Sequence, residues 1–462
     1  MRIPIEAVRP QVDCGRSPAK AVVGERVPVS AKAYAEDRLA LGCHVVCRRP
    51  DGGAGRVVRM RPGPPGTDTW HAEIVPDQVG GWSFRVEAFS DPYLAWRATV
   101  LAKLDAGQDA DELANDLAEG AMLMDQASAA VPAHYRAWVA SAADALRDAG
   151  RPLRARVSTA LELAEVMWEH PLRELVTASP SYELWVDRPR ALFSAWYEMF
   201  PRSEGAQVDA DHRPVRHGTF ATSARRLKDI AAMGFDVVYL PPIHPIGHSH
   251  RKGRNNALVA REGDVGSPWA IGAAEGGHDA VHPALGTLAD FDEFVAAARA
   301  VGLEVALDLA LQCSPDHPWV REHPEWFTRR PDGTIAYAEN PPKKYQDIYP
   351  LNFDRDPEGI RAEVLRVVRY WIAHGVKIFR VDNPHTKPVE FWRWLIEQVH
   401  RTDPEVLFLS EAFTRPAMLE GLAKAGFSQS YTYFTWRDTP AELRGYCEEL
   451  LAAADFLRPN FW

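Results

Sequence analysis

The sequence predicts an α/β chain in which a (β/α)₈ TIM-type barrel follows an N-terminal β-sandwich and a helical insert. Three observations carry that expectation. Short alternating strands separated by Gly- and Pro-rich turns run to about Val100. An Ala-, Leu- and Glu-rich stretch runs from about Asp109 to Trp168. From Leu192 onward, short apolar strands alternate with amphipathic helices. Such alternation produces a parallel sheet covered by helices, because parallel neighbours need a crossover between them. At 462 residues and 46% hydrophobic content, two or three domains are expected.

The predicted boundaries are 1–102 for the sandwich, 103–190 for the helical module and 191–462 for the barrel. In the first, Val27-Pro28-Val29-Ser30-Ala31 and Trp82 to Ala88 alternate, and Arg49-Pro50-Asp51-Gly52-Gly53 and Arg61 to Gly66 hold turn residues. In the second, Leu113/Leu117 and the run Leu161 to Glu165 have helical spacing with few β-branched residues. In the third, the predicted strands are Phe193–Tyr197, Val237–Leu240, Val305–Leu309, Ile378–Val381, Leu407–Ser410 and Ser430–Phe434. Thr287-Leu288-Ala289-Asp290 predicts a capped helix start, and Arg361 to His374 a further helix. Two long excursions, 244–286 and 313–353, interrupt the rhythm, and excursions of that length commonly carry function.

Composition excludes several classes. Subtracting 63 acidic from 53 basic residues leaves −10, which argues against a nucleic-acid binder. Met1 to Glu6 lacks a signal-peptide core, and there is no run of ~18 uncharged apolar residues, so a cytoplasmic protein away from membranes is expected. Cys14, Cys43, Cys47, Cys313 and Cys447 are scattered, unlike a disulfide framework or zinc half-sites. His244, His248 and His250 crowd together without a convincing partner donor, so no metal is expected, nor any cofactor.

The chemistry is read from strand ends, where the loops of a barrel converge. Three of them finish in carboxylates: Asp308, Asp382 and Glu411. One such carboxylate would ordinarily be a cap or an ion-pair partner; three on one rim are harder to dismiss. Arg380 and Asp382 stand two apart on a strand and share a face, where the arginine keeps the carboxylate ionised as a nucleophile must be. Glu411 ends the next strand, about 5 Å away, a spacing that favours a retaining double displacement.

Phe379-Arg380-Val381-Asp382, with Glu411 29 positions later and Asp308 before it, resembles the α-amylase family signature. Further motifs are similar to one branch of it, the α-1,4-glucan:maltose-1-phosphate maltosyltransferases. They are Arg251 to Asn256, Gln312 to Trp319, Val381 to Pro388, and the opening Val8-Arg9-Pro10 with Asp13-Cys14-Gly15 and Gly24-Glu25. The resemblance implies transfer of maltosyl units from α-maltose 1-phosphate to an α-1,4-glucan with release of phosphate. It makes Asp382 the nucleophile, Glu411 the acid/base and Arg380 the brace. It places the phosphate near Asn383, Lys343 and Tyr345, and the sugars near Lys252, Asn256, Gln312, Asn340 and Asp347. It also implies a homodimer. On the residues alone, Asn383 reads equally as a loop cap, and Lys343-Lys344 as a solvated loop.

Hydrolytic relatives usually carry Asn-His where this chain has Gln312-Cys313, and a histidine where it has Thr386, which weighs towards the transferase branch. The family's third carboxylate, in an Asn-Thr-Pro-Asp stretch, has no counterpart before Trp462. The expectation is therefore a barrel incomplete at its C-terminal end, and a chain inactive or poorly soluble alone. An α-glucan hydrolase or trehalose-forming enzyme, and a non-catalytic glucan-binding protein, remain the alternatives.

Overall fold

A computed structural model describes residues 2–36, 39–211 and 214–461. The chain divides into two compact units, 1–186 and 187–462.

Alternation builds the first unit. Val27–Ala33 buries every second side chain, Val27, Val29, Ala31 and Ala33, as a strand with one face on a core must. It lies between Ile5–Arg9 and Thr69–Ile74 in a four-stranded antiparallel sheet. A second sheet is centred on Gly80–Ser90 and Leu41–Arg48. Helices follow at Pro92–Asp105, Ala114–Ala130, Ala133–Arg147, Leu153–Glu162 and Ala164–Glu169, around a core that includes Tyr93, Trp96, Leu117, Met124 and Leu146.

The helices of the first unit fall between Pro92 and Glu169. Asp91 caps a helix that begins at Pro92, accepting the Leu94 N–H at 3.2 Å, so position 103 falls inside a helix. After Glu169 the chain returns to the second sheet as Glu174–Ala178 and Tyr182–Asp187, both paired with Gly80–Ser90. The cap and the proline set the helix start upstream of the compositional shift at Asp109.

The second unit is a partial, open barrel of seven parallel strands in chain order: Trp196–Glu198, Val237–Leu240, Glu304–Leu309, Ile378–Asp382, Leu407–Glu411, Gln429–Tyr431 and Pro459–Asn460. Its helices include Leu288–Ala300, with a reciprocal Thr287/Asp290 capping box, and Pro357–Ala373, capped by Asp356. Trp371, Phe379, Trp392 and Phe408 are fully buried in its core.

Three differences from the expected strands have local causes. The first strand starts at Trp196, while Phe193 is 75% exposed just before it. The sixth strand is Gln429–Tyr431, and Tyr433–Trp436 turns as a 3₁₀ helix. The two-residue strand Pro459–Asn460 was not anticipated, since a proline-led pair gives no alternation to read. Trp196–Glu198 and Pro459–Asn460 are the edges of the sheet, and both border a cavity of about 970 Å³. No helix among the described residues is long and apolar enough to cross a membrane.

Candidate active site

Four adjacent parallel strands bring their C-terminal ends to one place. Asp382 and Glu411 are in-register neighbours, and Asp308 is in register with Arg380 on the other side. Side chains in register on neighbouring strands share a face, so this pairing collects the three carboxyls around the arginine.

Arg380 binds all three. Its Nη1 donates to Asp308 Oδ2 at 2.8 Å and to Asp382 Oδ1 at 3.0 Å, while Nη2 lies 3.6 Å from Glu411 Oε2. Its guanidinium also faces the rings of Tyr239 and Tyr431, at 5.8 and 6.0 Å. Burial opposes its charge, but the carboxylates around it prevail and strengthen its hold on the proton. Asp308 is buried, and the Tyr239 hydroxyl donates to its Oδ2 at 2.5 Å. Burial pushes the Asp308 carboxyl up to about 7; Arg380 opposes the rise and Asp382 adds to it.

Glu411 differs from its neighbour in environment. Burial raises its proton affinity above the ordinary carboxyl range, against Arg380 and the Asn383 N–H, which donates to Oε2 at 3.1 Å. A carboxyl of raised proton affinity beside a carboxylate hydrogen-bonded to an arginine is an arrangement suited to acid/base and nucleophile roles.

Of the residues read as sugar and phosphate ligands, Lys252, Asn256, Asn340, Lys343, Tyr345 and Asp347 lie on the two excursions, Gln312 directly precedes the second, and Asn383 follows the strand Ile378–Asp382. Gln312 sits in a short ladder with Tyr349–Pro350. Asn340, Lys343 and Tyr345 belong to a hairpin in which Asn340 faces Lys343. Lys252 is buried and its Nζ donates to the Lys344 carbonyl at 3.3 Å, which ties the two excursions together. Asp347 is buried with Oδ1 lacking a hydrogen-bond partner, and burial raises its carboxyl while Lys252 opposes the rise. Asn256 is exposed with a φ of 61° and lines a cavity of about 290 Å³ with Lys252 and Asp264. Asn383, at φ 45° and ψ 53°, touches Glu411 through its main chain. Among the described residues, no hydrogen bond joins the side chains of Lys343 or Tyr345 to Asp382, Asn383 or Glu411. The carboxyl cluster around Arg380 is thus assembled by the sheet, and most of the residues read as ligands by the loops.

The histidines sort differently from their order in sequence. His244 packs inside, its Nδ1 on the Ala280 carbonyl at 3.0 Å and its ring 5.6 Å from Trp371. The potential ligand atoms of His278, Cys313 and His317 come within 4.8 Å of one another. Neutral tautomers account for the imidazole nitrogens: His278 Nε2–H meets the Ala310 carbonyl, Trp319 N–H meets His317 Nδ1, and His317 Nε2–H is left to donate to His278 Nδ1 at 3.0 Å. Burial favours those neutral forms, moving His278 down to about 3.

Tyr239, Tyr431 and Lys387 were missed in the sequence. Tyr239 carried a readable signal, being an aromatic with a polar tip inside an otherwise aliphatic buried strand.

A parallel barrel sheet presenting an arginine-bound carboxylate beside a second carboxyl of raised proton affinity defines a retaining, glycoside-processing class of site. The comparisons narrow this. Residues 1–188 match the family model of α-1,4-glucan:maltose-1-phosphate maltosyltransferase, domain N/S. A maltosyltransferase of that name from Mycolicibacterium smegmatis is 58% identical, over 100% of this chain and 70% of that relative. One from Streptomyces coelicolor is also 58% identical, over 100% of this chain and 68% of its own length. One from Mycobacterium tuberculosis is 56% identical, over 100% and 69%. The chain belongs to the α-1,4-glucan:maltose-1-phosphate maltosyltransferase family.

Proposed function

We propose that this protein moves maltosyl units from α-maltose 1-phosphate to the non-reducing end of an α-1,4-glucan, releasing inorganic phosphate with retention of configuration. The observation that carries the reading is the in-register pair Asp382 and Glu411 bridged by Arg380, in a chain with the family membership given above. Asp382 attacks the anomeric carbon and phosphate leaves, forming a β-maltosyl ester while Glu411 supplies the proton. Glu411 then takes a proton from the acceptor hydroxyl, which displaces Asp382 and restores the α-linkage.

Arg380 holds the Asp382 carboxylate in place through its hydrogen bond. Lys343, Tyr345 and Asn383 supply a cation and polar groups for the phosphate. Lys252, Asn256, Gln312, Asn340 and Asp347 supply donors and acceptors for the sugars, and the unpartnered Oδ1 of buried Asp347 suits a sugar hydroxyl. The same reading carries a homodimer in the cytoplasm, with family membership as its support; sedimentation velocity tests the dimer.

The test supplies α-maltose 1-phosphate and a maltooligosaccharide. The expected result is phosphate release matched by acceptor chains longer by two glucose units (a maltosyl residue), abolished in Asp382→Ala. Free maltose without elongation would place the chain with the hydrolases instead. A fluorinated donor should leave a maltosyl ester on Asp382, read by mass spectrometry.

A further inference from the structure

We propose that Lys387 is a positioning residue for the acid/base carboxyl: its buried ammonium holds the peptide joining Asp382 to Asn383 so that the Asn383 N–H is aimed at Glu411. This rests on the transferase reading of the same site.

One peptide plane links the two side chains. Lys387 Nζ donates to the Asp382 carbonyl at 3.4 Å, and the N–H of that same peptide donates to Glu411 Oε2 at 3.1 Å. The C=O and N–H of a trans peptide point in opposite directions, so fixing the oxygen on one side fixes the hydrogen on the other. The Asp382–Asn383 peptide therefore spans from an ammonium to a carboxyl. A cation on its oxygen also polarises it, which strengthens the bond its hydrogen makes.

The next peptide is held as well. The Asn383 carbonyl accepts from Lys387 Nζ at 3.3 Å, from Thr386 Oγ1 at 2.8 Å and from Thr386 N–H at 3.1 Å. Asn383 is in the left-handed region, which a non-glycine residue adopts only when its surroundings hold it there. The turn is pinned from outside by Trp392, whose Nε1 donates to the Pro384 carbonyl at 2.9 Å.

Lys387 is only 9% exposed, an unusual place for an ammonium. Burial pulls its proton affinity down to about 8, while Asp382, Glu411 and Asp308 oppose that fall. His385 is the other titratable group near it, and Arg380 faces the same carboxyls from the strand side. The three carboxyls favour the ammonium form of this amine, which faces the acid/base through one peptide.

The test reads Glu411 directly, by ¹³C-carboxyl NMR titration of the full chain with Glu411→Gln as the assignment control. Lys387→Met is expected to raise the Glu411 midpoint by about one unit, from loss of both the charge and the aimed N–H. Lys387→Arg, which keeps the charge, is expected to stay near wild type. A weaker acid delivers its proton less readily, so Lys387→Met should also lower kcat for phosphate release by about tenfold, with donor KM within about twofold. Its alkaline limb of kcat/KM should move up with Glu411.

An unmoved Glu411 titration in Lys387→Met overturns the proposal. Should that variant not fold, Lys387→Gln removes the ammonium and keeps a polar side chain that can donate to the same carbonyls. It is expected to move Glu411 upward by a smaller amount, and no movement overturns the proposal equally. If wild type releases no phosphate from α-maltose 1-phosphate, the transferase reading fails, while the Glu411 titration still decides the role of Lys387.

Discussion

At the scale of single residues, Arg380 is the hub, since one side chain contacts all three carboxyls of the rim. Removing it leaves buried carboxylates without their counter-charge, which raises their proton affinity and loosens Asp382. Arg380→Met is therefore expected to lower kcat/KM for phosphate release by about 10³-fold; a loss below about tenfold would remove Arg380 from the mechanism. In wild type, burial raises the proton affinity of Glu411 above the ordinary carboxyl value and its proton is lost as pH rises, so the alkaline limb is expected to report Glu411. Much of this was legible in the sequence, because a period of two places Arg380 and Asp382 on one face whatever the rest of the chain does. Lys387 was not. Its role depends on the left-handed turn at Asn383, and a lysine five places after an aspartate has no spacing rule that brings it back to that aspartate's carbonyl.

At the scale of elements, local signals predicted what local physics decides. The Thr287/Asp290 box begins a helix as expected, with Thr287 Oγ1 accepting the Asp290 N–H at 3.2 Å and Asp290 Oδ2 accepting the Thr287 N–H at 2.7 Å. Thr287→Ala should cost about 1 kcal/mol and lower Tm by about 2 °C, with phosphate release unchanged, as read by calorimetry and the transfer assay. The Thr287 bonds hold the Asp290 carboxyl below its usual range. The stability from this cap is accordingly present above the unfolded value near 3.9 and is lost as pH falls through the lower folded one. Elements set by distant partners were less legible. Tyr182–Asp187 follows a long helical stretch yet pairs with Gly80–Ser90, and nothing in its own sequence names that neighbour. The ligand-bearing excursions are similar: the Lys252 contact with the Lys344 carbonyl crosses 92 positions, which no local pattern encodes.

At the scale of the whole molecule, the order of secondary structure gave the architecture of the second unit, since strand–helix alternation with parallel neighbours leaves few arrangements. What order could not give is how far the sheet curls before its edges face the same cavity. The rim that gathers Asp308, Arg380, Asp382 and Glu411 is different, because main-chain register alone sets it. Side chains alternate between the faces of a strand, so a slip of one residue in any of these strands would send its polar group to the opposite face and scatter the whole cluster. Correct strand registration and assembly of the site are thus a single event in this fold.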